Sequence, residues 1–323
     1  MSELYASVDL GGTKIACALA GADGRIVCET SALTLSHEGP AAVIERIARL
    51  INQLAEQAGA RPAALGMGVP GLIDASRGVT RFLPNLPTQW RDVPIRQMLA
   101  PQVGCPVYLL NDVRTATLGE LTFGHGRNAK TMIFFALGTG VGGGIVIDGK
   151  LRLGPLGAAG EIGHQTILPD GPTCGCGNRG CLETLASGPA ITAQGVWLMR
   201  SGRAPRLHEI VAGDAGQVSP KTMAEAARAG DQAVREAIIR AAGYLGIGAS
   251  NMIVALHPDL VVIGGGVADM GDLLLDAVKD AVRRRVGLLL PVESVRIERS
   301  LLGDRAGALG GIALAMQGGA LPE

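Results

Sequence analysis

The chain has few aromatic residues and no excess of either charge. Phenylalanine, tryptophan and tyrosine make up 3% of its 323 residues although 47% are hydrophobic, so the core must be mainly aliphatic. Lysine plus arginine and aspartate plus glutamate number 29 each. A neutral chain lacks the basic excess that binds nucleic acid or anionic lipid. We therefore expect neither nucleic acid nor a membrane among its partners.

The sequence also shows no signal-peptide pattern and no uninterrupted long apolar run. Residues 1–5 show no basic stretch leading into an apolar one. The most apolar stretch, 253–267, is broken by His257, Pro258 and Asp259, so we expect no membrane span. These observations predict a cytoplasmic protein.

Glycine, by contrast, is abundant, and two segments repeat one pattern. The 48 glycines are about twice the usual share. Segments 4–20 and 131–148 each read as strand, glycine turn and strand, and each begins a block of alternating strands and helices. We predict a duplicated α/β fold with two lobes around a cleft. The N-terminal lobe would span 1–112 and the C-terminal lobe 113–303, with a last helix at about 304–323 packing on the first lobe.

The first glycine turn favours phosphate binding. Gly11 and Gly12 follow a strand and allow the backbone to approach a phosphate, to which Thr13 can donate a hydrogen bond. Lys14 completes the motif, and Asp9 could hold magnesium through water. The alternative is an ordinary hairpin turn.

Two further glycine runs have similar alternatives. Gly138, Thr139 and Gly140 begin a run through Gly144 that a strand follows, so it is neither a dinucleotide fingerprint nor a Walker loop. Two such turns facing each other would hold one polyphosphate, whereas the alternative is again a hairpin turn. The third run is Gly264, Gly265 and Gly266. It could accommodate an adenine, or it could be a plain strand-to-helix loop.

Asp112 follows a short buried strand, 107–110, and precedes a helix that ends near residue 123. A carboxylate at a strand end, beside a phosphate site, suits accepting a proton from an attacking hydroxyl. The alternative is that Asp112 is simply the N-cap of the helix.

One imidazole and three thiolates suggest a metal site, formed by His164, Cys174, Cys176 and Cys181. Four such ligands match a closed tetrahedral zinc site, so the metal would be structural. Chance spacing and a redox cysteine pair are the alternatives. Glu161 and Glu183 flank the cluster, where each could reach a ligand or be a solvated surface carboxylate.

Together these motifs resemble those of the ROK family, which contains sugar kinases and sugar-responsive repressors. The matching segments are 9–14, 68–71, 137–144, 160–164 and 174–183. The resemblance runs nearly end to end. It implies the actin-like ATPase (ribonuclease H-like) fold, with two lobes closing over the substrates, ATP and Mg²⁺, and a structural Zn²⁺.

The resemblance also implies roles for single residues. Asp112 would be the catalytic base and would bind the sugar together with Asn111. Other hydroxyls of the sugar would be bound by Glu161, His164 and Glu183. Asn85 resembles a sugar-contacting asparagine of the family, or else is a turn residue. Arg114 departs from the commonest family pattern, in which a small or amide residue follows Asn-Asp-x.

The implied function is ATP-dependent phosphorylation of a hexose at its 6-hydroxyl, with glucose as the first expectation. The alternative substrates are N-acetylmannosamine, N-acetylglucosamine, fructose and mannose. Polyphosphate is the alternative phosphoryl donor. The alternative class is a sugar-sensing regulator without a DNA-binding domain, since the first strand begins at Leu4 and leaves no room for a helix-turn-helix. The apolar face of the helix at 231–256 favours a homodimer.

Overall fold

The computed structural model of the chain describes residues 3–83 and 86–319, with the backbone alone for Thr88, Gln89 and Leu156. Its first elements are β1 (Leu4–Leu10), β2 (Lys14–Gly21), β3 (Ile26–Leu33), α1 (Pro40–Ala58), β4 (Leu65–Val69), β5 (Leu72–Asp74), β6 (Val79–Phe82), α2 (Ile95–Val103), β7 (Val107–Asn111) and α3 (Asp112–Phe123). The later elements are β8 (Met132–Leu137), β9 (Val141–Ile147), β10 (Lys150–Leu151), α4 (Glu183–Ala186), α5 (Gly188–Arg200), α6 (Pro205–Ile210), α7 (Pro220–Arg228), α8 (Gln232–Leu256), β11 (Leu260–Gly264), α9 (Asp272–Val286), β12 (Arg296–Arg299) and α10 (Ala306–Met316).

The chain packs as two units. The first contains Met1–Asn128, Ile145–Gly160 and Asp304–Glu323, and the second contains Ala129–Gly144 and Glu161–Gly303. Each half of the chain builds a five-stranded sheet, with strand orders β3-β2-β1-β4-β7 and β10-β9-β8-β11-β12. When only the five strands of each sheet are numbered in chain order, both sheets have the order 3-2-1-4-5. The predicted duplicated α/β fold is confirmed.

The core of the first unit is largely aliphatic. The side chains of α1 that repeat at helical spacing, Val43, Ile44, Ile47 and Ile51, are fully buried. They join one cluster with strand residues such as Val8 and Leu65 and with Leu99 of α2. This aliphatic composition follows from the scarcity of aromatic residues.

Residues 183–200 form two helices that are separated at Ser187. α4 ends at Ala186 and α5 begins at Gly188. Pro189 cannot continue a helix from the preceding turn, since it lacks an N–H and its ring collides with an earlier carbonyl. Ser187 instead caps α5, accepting a hydrogen bond from the backbone N–H of Ala190 at 3.4 Å.

Helix α8 corrects the expectation that no segment is long and apolar enough to cross a membrane. By length and composition alone it meets that criterion. However, 56% of its apolar window is buried inside the protein, as in the core helix of a soluble protein, and α8 packs on α9 and α7. One such helix is weak evidence for a membrane span.

Helix α10 packs backbone against backbone in the first unit. It contacts α3, β1 and β4. A Cβ atom at Gly310 would overlap the carbonyl oxygen of Thr115 in α3, and one at Gly311 would lie 2.7 Å from Cβ of Ser7. Only glycine allows this approach, so α10 is fixed against the elements that carry the first glycine turn and Asp112.

We expect Gly310→Ala to lower the free energy of unfolding by about 3 kcal/mol, because the added methyl group has no space beside α3. Gly243→Ala in α8 is the matched control, since a Cβ there meets no atom within 4 Å. That change should be neutral or stabilising by up to about 1 kcal/mol. Thermal unfolding of both variants measures the difference, and equal midpoints would contradict the close packing.

Candidate active site

The strand order of the first unit brings two aspartates to one edge of its sheet. Strand β4 pairs in parallel with both β1 and β7, so the carboxyl ends of the three strands lie side by side. Asp9 lies near the end of β1, and Asp112 directly follows β7. Open α/β sheets bind ligands at this end of their strands.

Asn111, and not Asp112, is the N-cap of α3, so the N-cap alternative for Asp112 is wrong. The side-chain oxygen of Asn111 accepts hydrogen bonds from the backbone N–H groups of Val113 (3.1 Å) and Arg114 (3.2 Å). Its amide nitrogen donates to the carbonyl of Gly71 at 3.1 Å. Asp112 is thus the first helical residue, and its Oδ1 accepts from the N–H of Val113 at 2.9 Å.

Burial raises the pKa of Asp112 to about 6. The hydrogen bond from Val113 opposes this rise, the neighbouring charge of Asp9 adds to it, and the guanidinium of Arg114 opposes it. Burial also raises the pKa of Asp9. A carboxylate of this pKa is ionised at neutral pH. It is still basic enough to accept the proton of a hydroxyl group while the hydroxyl oxygen forms a bond to phosphorus.

The first glycine turn joins β1 and β2 and is fixed from one side. The Thr34 hydroxyl donates to the carbonyl of Gly11 at 2.7 Å, and the Thr34 N–H donates to the carbonyl of Thr13 at 2.8 Å. Within the turn, the N–H of Gly11 donates to the carbonyl of Lys14 at 2.9 Å. Thr13 and Lys14 are exposed at the tip.

In the second unit, Glu183 binds the second glycine turn. Its Oε2 accepts from the backbone N–H of Val141 at 3.0 Å, and Gly140 leaves the space that this carboxylate occupies. Glu183 is half-buried and is therefore not a solvated surface carboxylate. Glu161 is exposed, with Oε2 3.9 Å from Nε2 of His164.

Close packing explains why two residues of the third glycine run are glycine. A side chain on Gly264 would collide with Phe134, and one on Gly265 would collide with the backbone of Leu137. At Gly266 an added Cβ meets no atom within 4 Å. Packing against β8 therefore accounts for Gly264 and Gly265 without a ligand.

The predicted metal ligands come together in the second unit. The ligand atoms of His164, Cys174, Cys176 and Cys181 all lie within 4.8 Å of one another. Cys174 Sγ lies 3.6 Å from His164 Nδ1, and Cys176 Sγ lies 3.7 Å from Cys181 Sγ. Tetrahedral zinc, with bonds of about 2.3 Å to sulfur and 2.0 Å to nitrogen, requires separations of about 3.5 and 3.8 Å. The donor set fits zinc, and 3.7 Å is too long for a disulfide.

The structure thus places Asp9 near Asp112 in one unit and brings the four predicted metal ligands together in the other. Asn85 lies outside the described residues. Sequence reasoning missed the contacts of Glu183 with Val141 and of Arg114 with Asn111, since each depends on packing. The one sequence feature that pointed to the second contact was Arg114 itself, which is unusual at this position in the family.

Comparison with known proteins shows the class of the chain. The model of the ROK family matches residues 5–318, and the chain belongs to this family. It is 37% identical to a glucokinase of Thermotoga maritima over 316 residues, which are 94% of each chain. It is also 33% identical to a xylose repressor of Caldicellulosiruptor bescii over 310 residues, 95% of this chain and 76% of the repressor.

Among solved structures, the chain resembles a ROK family glucokinase from Streptomyces griseus in complex with glucose and AMPPNP. The TM-score is 0.84 at 34% identity, and the match covers 97% of this chain and 99% of that one. The fold is the actin-like ATPase type.

We expect Asp112→Asn to stabilise the protein at pH 8 by about 1–2 kcal/mol. A carboxyl whose pKa rises from 3.8 unfolded to about 6 folded stabilises the fold only while protonated. That contribution is complete below about pH 3.8 and is lost as the pH rises through about 6. The gain from the neutral amide should therefore be present above pH 6 and absent near pH 4.

Thermal unfolding at the two pH values measures this gain, with Asp170→Asn at an exposed loop position as the control. A shift in the unfolding temperature that is equal at both pH values would show that burial does not destabilise the charged form of Asp112.

Proposed function

We propose that the protein is an ATP-dependent glucokinase that transfers the γ-phosphoryl group of MgATP to the 6-hydroxyl of glucose. The observation that carries the proposal is the half-buried Asp112 carboxylate, with its pKa of about 6, at the strand edge that also carries Asp9 and the first glycine turn. The similarity to glucokinases over nearly the full length of both chains supports the same activity.

Asp112 acts as the general base in this mechanism. Phosphoryl transfer needs the nucleophile held in line and the phosphate charge neutralised, with little covalent chemistry from the protein. Asp112 accepts the proton of the 6-hydroxyl while the oxygen of that hydroxyl bonds to the γ-phosphorus and the bond to ADP breaks. Asn111 binds the sugar beside it.

The remaining sugar contacts come from Glu161, His164 and Glu183, and Asn85 is proposed with them. Nδ1 of His164 lies within the cysteine cluster, which leaves Nε2 for a sugar hydroxyl. Bound zinc would fix this tautomer and hold the loop in place. Glu183 has Oε2 on Val141 and Oε1 near Cys174 at 3.7 Å, so its position depends on that loop.

MgATP is bound by the glycine turns in this proposal. Asp9 would hold magnesium through water, and Gly11, Gly12, Thr13 and Lys14 bind phosphate. Gly138, Thr139 and Gly140 bind phosphate as well. Gly264, Gly265 and Gly266 lie along the adenine.

A sugar-sensing regulator is the second candidate, because the chain is also 33% identical to a xylose repressor. The two candidates differ in what they require. A kinase needs a base and phosphate-binding turns, whereas a sensor needs sugar affinity alone. Asp112, Asp9 and both turns are present, which favours the kinase.

The test is a panel of glucose, mannose, fructose, N-acetylmannosamine and N-acetylglucosamine with MgATP, and with polyphosphate as a second donor. We expect the highest kcat/KM for glucose with ATP. Asp112→Asn should lower kcat by about two to four orders of magnitude and keep glucose binding. Asp170→Asn should keep the parental turnover.

Two results would contradict the proposal. Turnover of Asp112→Asn within a few-fold of the parent would remove Asp112 as the base. A parent protein that binds hexoses but phosphorylates none would favour the sensor.

The cysteine cluster is proposed as a structural zinc site. We expect metal analysis of the purified protein to give about one zinc per chain. Cys176→Ser should lose most of the metal, because three ligands hold zinc less tightly than four. Cys105→Ser, at a buried thiol outside the cluster, should retain the metal. A metal-free parent protein with full activity would refute the site.

A cytoplasmic homodimer completes the proposal. Ile239 and Val254 of α8 are 40% and 54% exposed, and their spacing places them on one face of the helix. Exposed apolar side chains on one face favour a contact between copies. A monomer in analytical ultracentrifugation at micromolar concentration would exclude this contact.

A further inference from the structure

Arg114 is a buried arginine in the first turn of α3, with only 2% of its surface exposed. Its Nε and Nη2 donate to the carbonyl oxygen of Ala159 at 3.1 and 2.7 Å, and its Nη1 donates to Oδ1 of Asn111 at 3.2 Å. Burying a guanidinium costs free energy unless hydrogen bonds compensate for the lost water. The side chain therefore occupies this position because it binds both acceptors.

The first acceptor is the amide oxygen that caps α3. Oδ1 of Asn111 receives three hydrogen bonds, from the N–H groups of Val113 and Arg114 and from the Arg114 guanidinium. An amide oxygen has two lone pairs, so this oxygen has no capacity left for a sugar hydroxyl. Asn111 can therefore meet the sugar only through its amide nitrogen, which already donates one hydrogen bond to Gly71.

The second acceptor belongs to the segment that leads to Glu161. The N–H of Ala159 donates to the carbonyl of Leu153 at 2.8 Å, which closes a short loop over residues 153–159. Ala159 precedes Glu161 by two residues. The two donors of the Arg114 fork fix the Ala159 carbonyl in direction as well as distance.

We propose that Arg114 is a positioning residue for the sugar. It locks the amide of Asn111 as a hydrogen-bond donor next to Asp112 and ties the start of α3 to the segment before Glu161. Asn111 would then select a sugar oxygen that accepts a hydrogen bond. This inference rests on the proposed function, because it assigns the sugar to Asn111.

The experiment compares Arg114→Met, which keeps most of the length but no donors, with Arg114→Lys, which keeps the charge but not the fork. Arg49→Met at an exposed position of α1 is the control. Steady-state kinetics give kcat and the KM for glucose and for ATP, and thermal unfolding is recorded for each variant. Glucose binding is also measured without nucleotide.

We expect Arg114→Met to raise the KM for glucose and the dissociation constant by about tenfold or more, with the KM for ATP within about twofold. Arg114→Lys should not restore the parental values, because one ammonium cannot hold both acceptors in place. The double variant Arg114→Met/Asn111→Ala should bind glucose no worse than Asn111→Ala, since the arginine acts through that amide.

Three results would overturn the inference in an active parent protein. These are a lower unfolding temperature with unchanged glucose KM, full recovery by Arg114→Lys, or additive effects in the double variant. A parent protein that phosphorylates no hexose overturns the proposed function instead. In that case, the dissociation constants for glucose of the parent, Arg114→Met and Arg114→Lys would still show whether Arg114 positions the sugar.

Discussion

The hydrogen bonds to the side-chain oxygen of Asn111 fix the junction of β7 and α3, which carries the candidate base Asp112. It caps the backbone of α3 at Val113 and Arg114 and accepts from the Arg114 guanidinium, while the amide nitrogen binds Gly71. These bonds set the direction in which the chain leaves β7 and enters α3. The position of Asp112 follows, because the cap makes it the first residue of the helix.

The same edge of the sheet explains why Asp112 is a better base than an exposed aspartate. Its desolvation and the nearby charge of Asp9 both disfavour the ionised form, and the hydrogen bond from Val113 and the charge of Arg114 favour it. The balance gives a pKa of about 6. The charged carboxylate destabilises the fold at neutral pH, because the same desolvation that raises its pKa also disfavours its ionised form.

In the second unit, Glu183 contacts both Val141 and Cys174, which are 33 residues apart in sequence. One carboxylate oxygen binds the N–H of Val141 in the second glycine turn, and the other lies 3.7 Å from Cys174 Sγ. The geometry of the turn is therefore coupled to the cysteine loop. The absence of a side chain at Gly140 is needed for this contact.

The duplicated pattern, the cysteine and histidine cluster and the positions of Asp9 and Asp112 could all be predicted from the sequence, because strand periodicity, ligand spacing and glycine turns are local signals. Other features depend on contacts that local signals do not contain. Competition between neighbouring side chains made Asn111 rather than Asp112 the cap, and packing buried Arg114 between two acceptors. Each outcome depends on atoms distant in sequence or on competition between neighbouring side chains, which no single segment specifies.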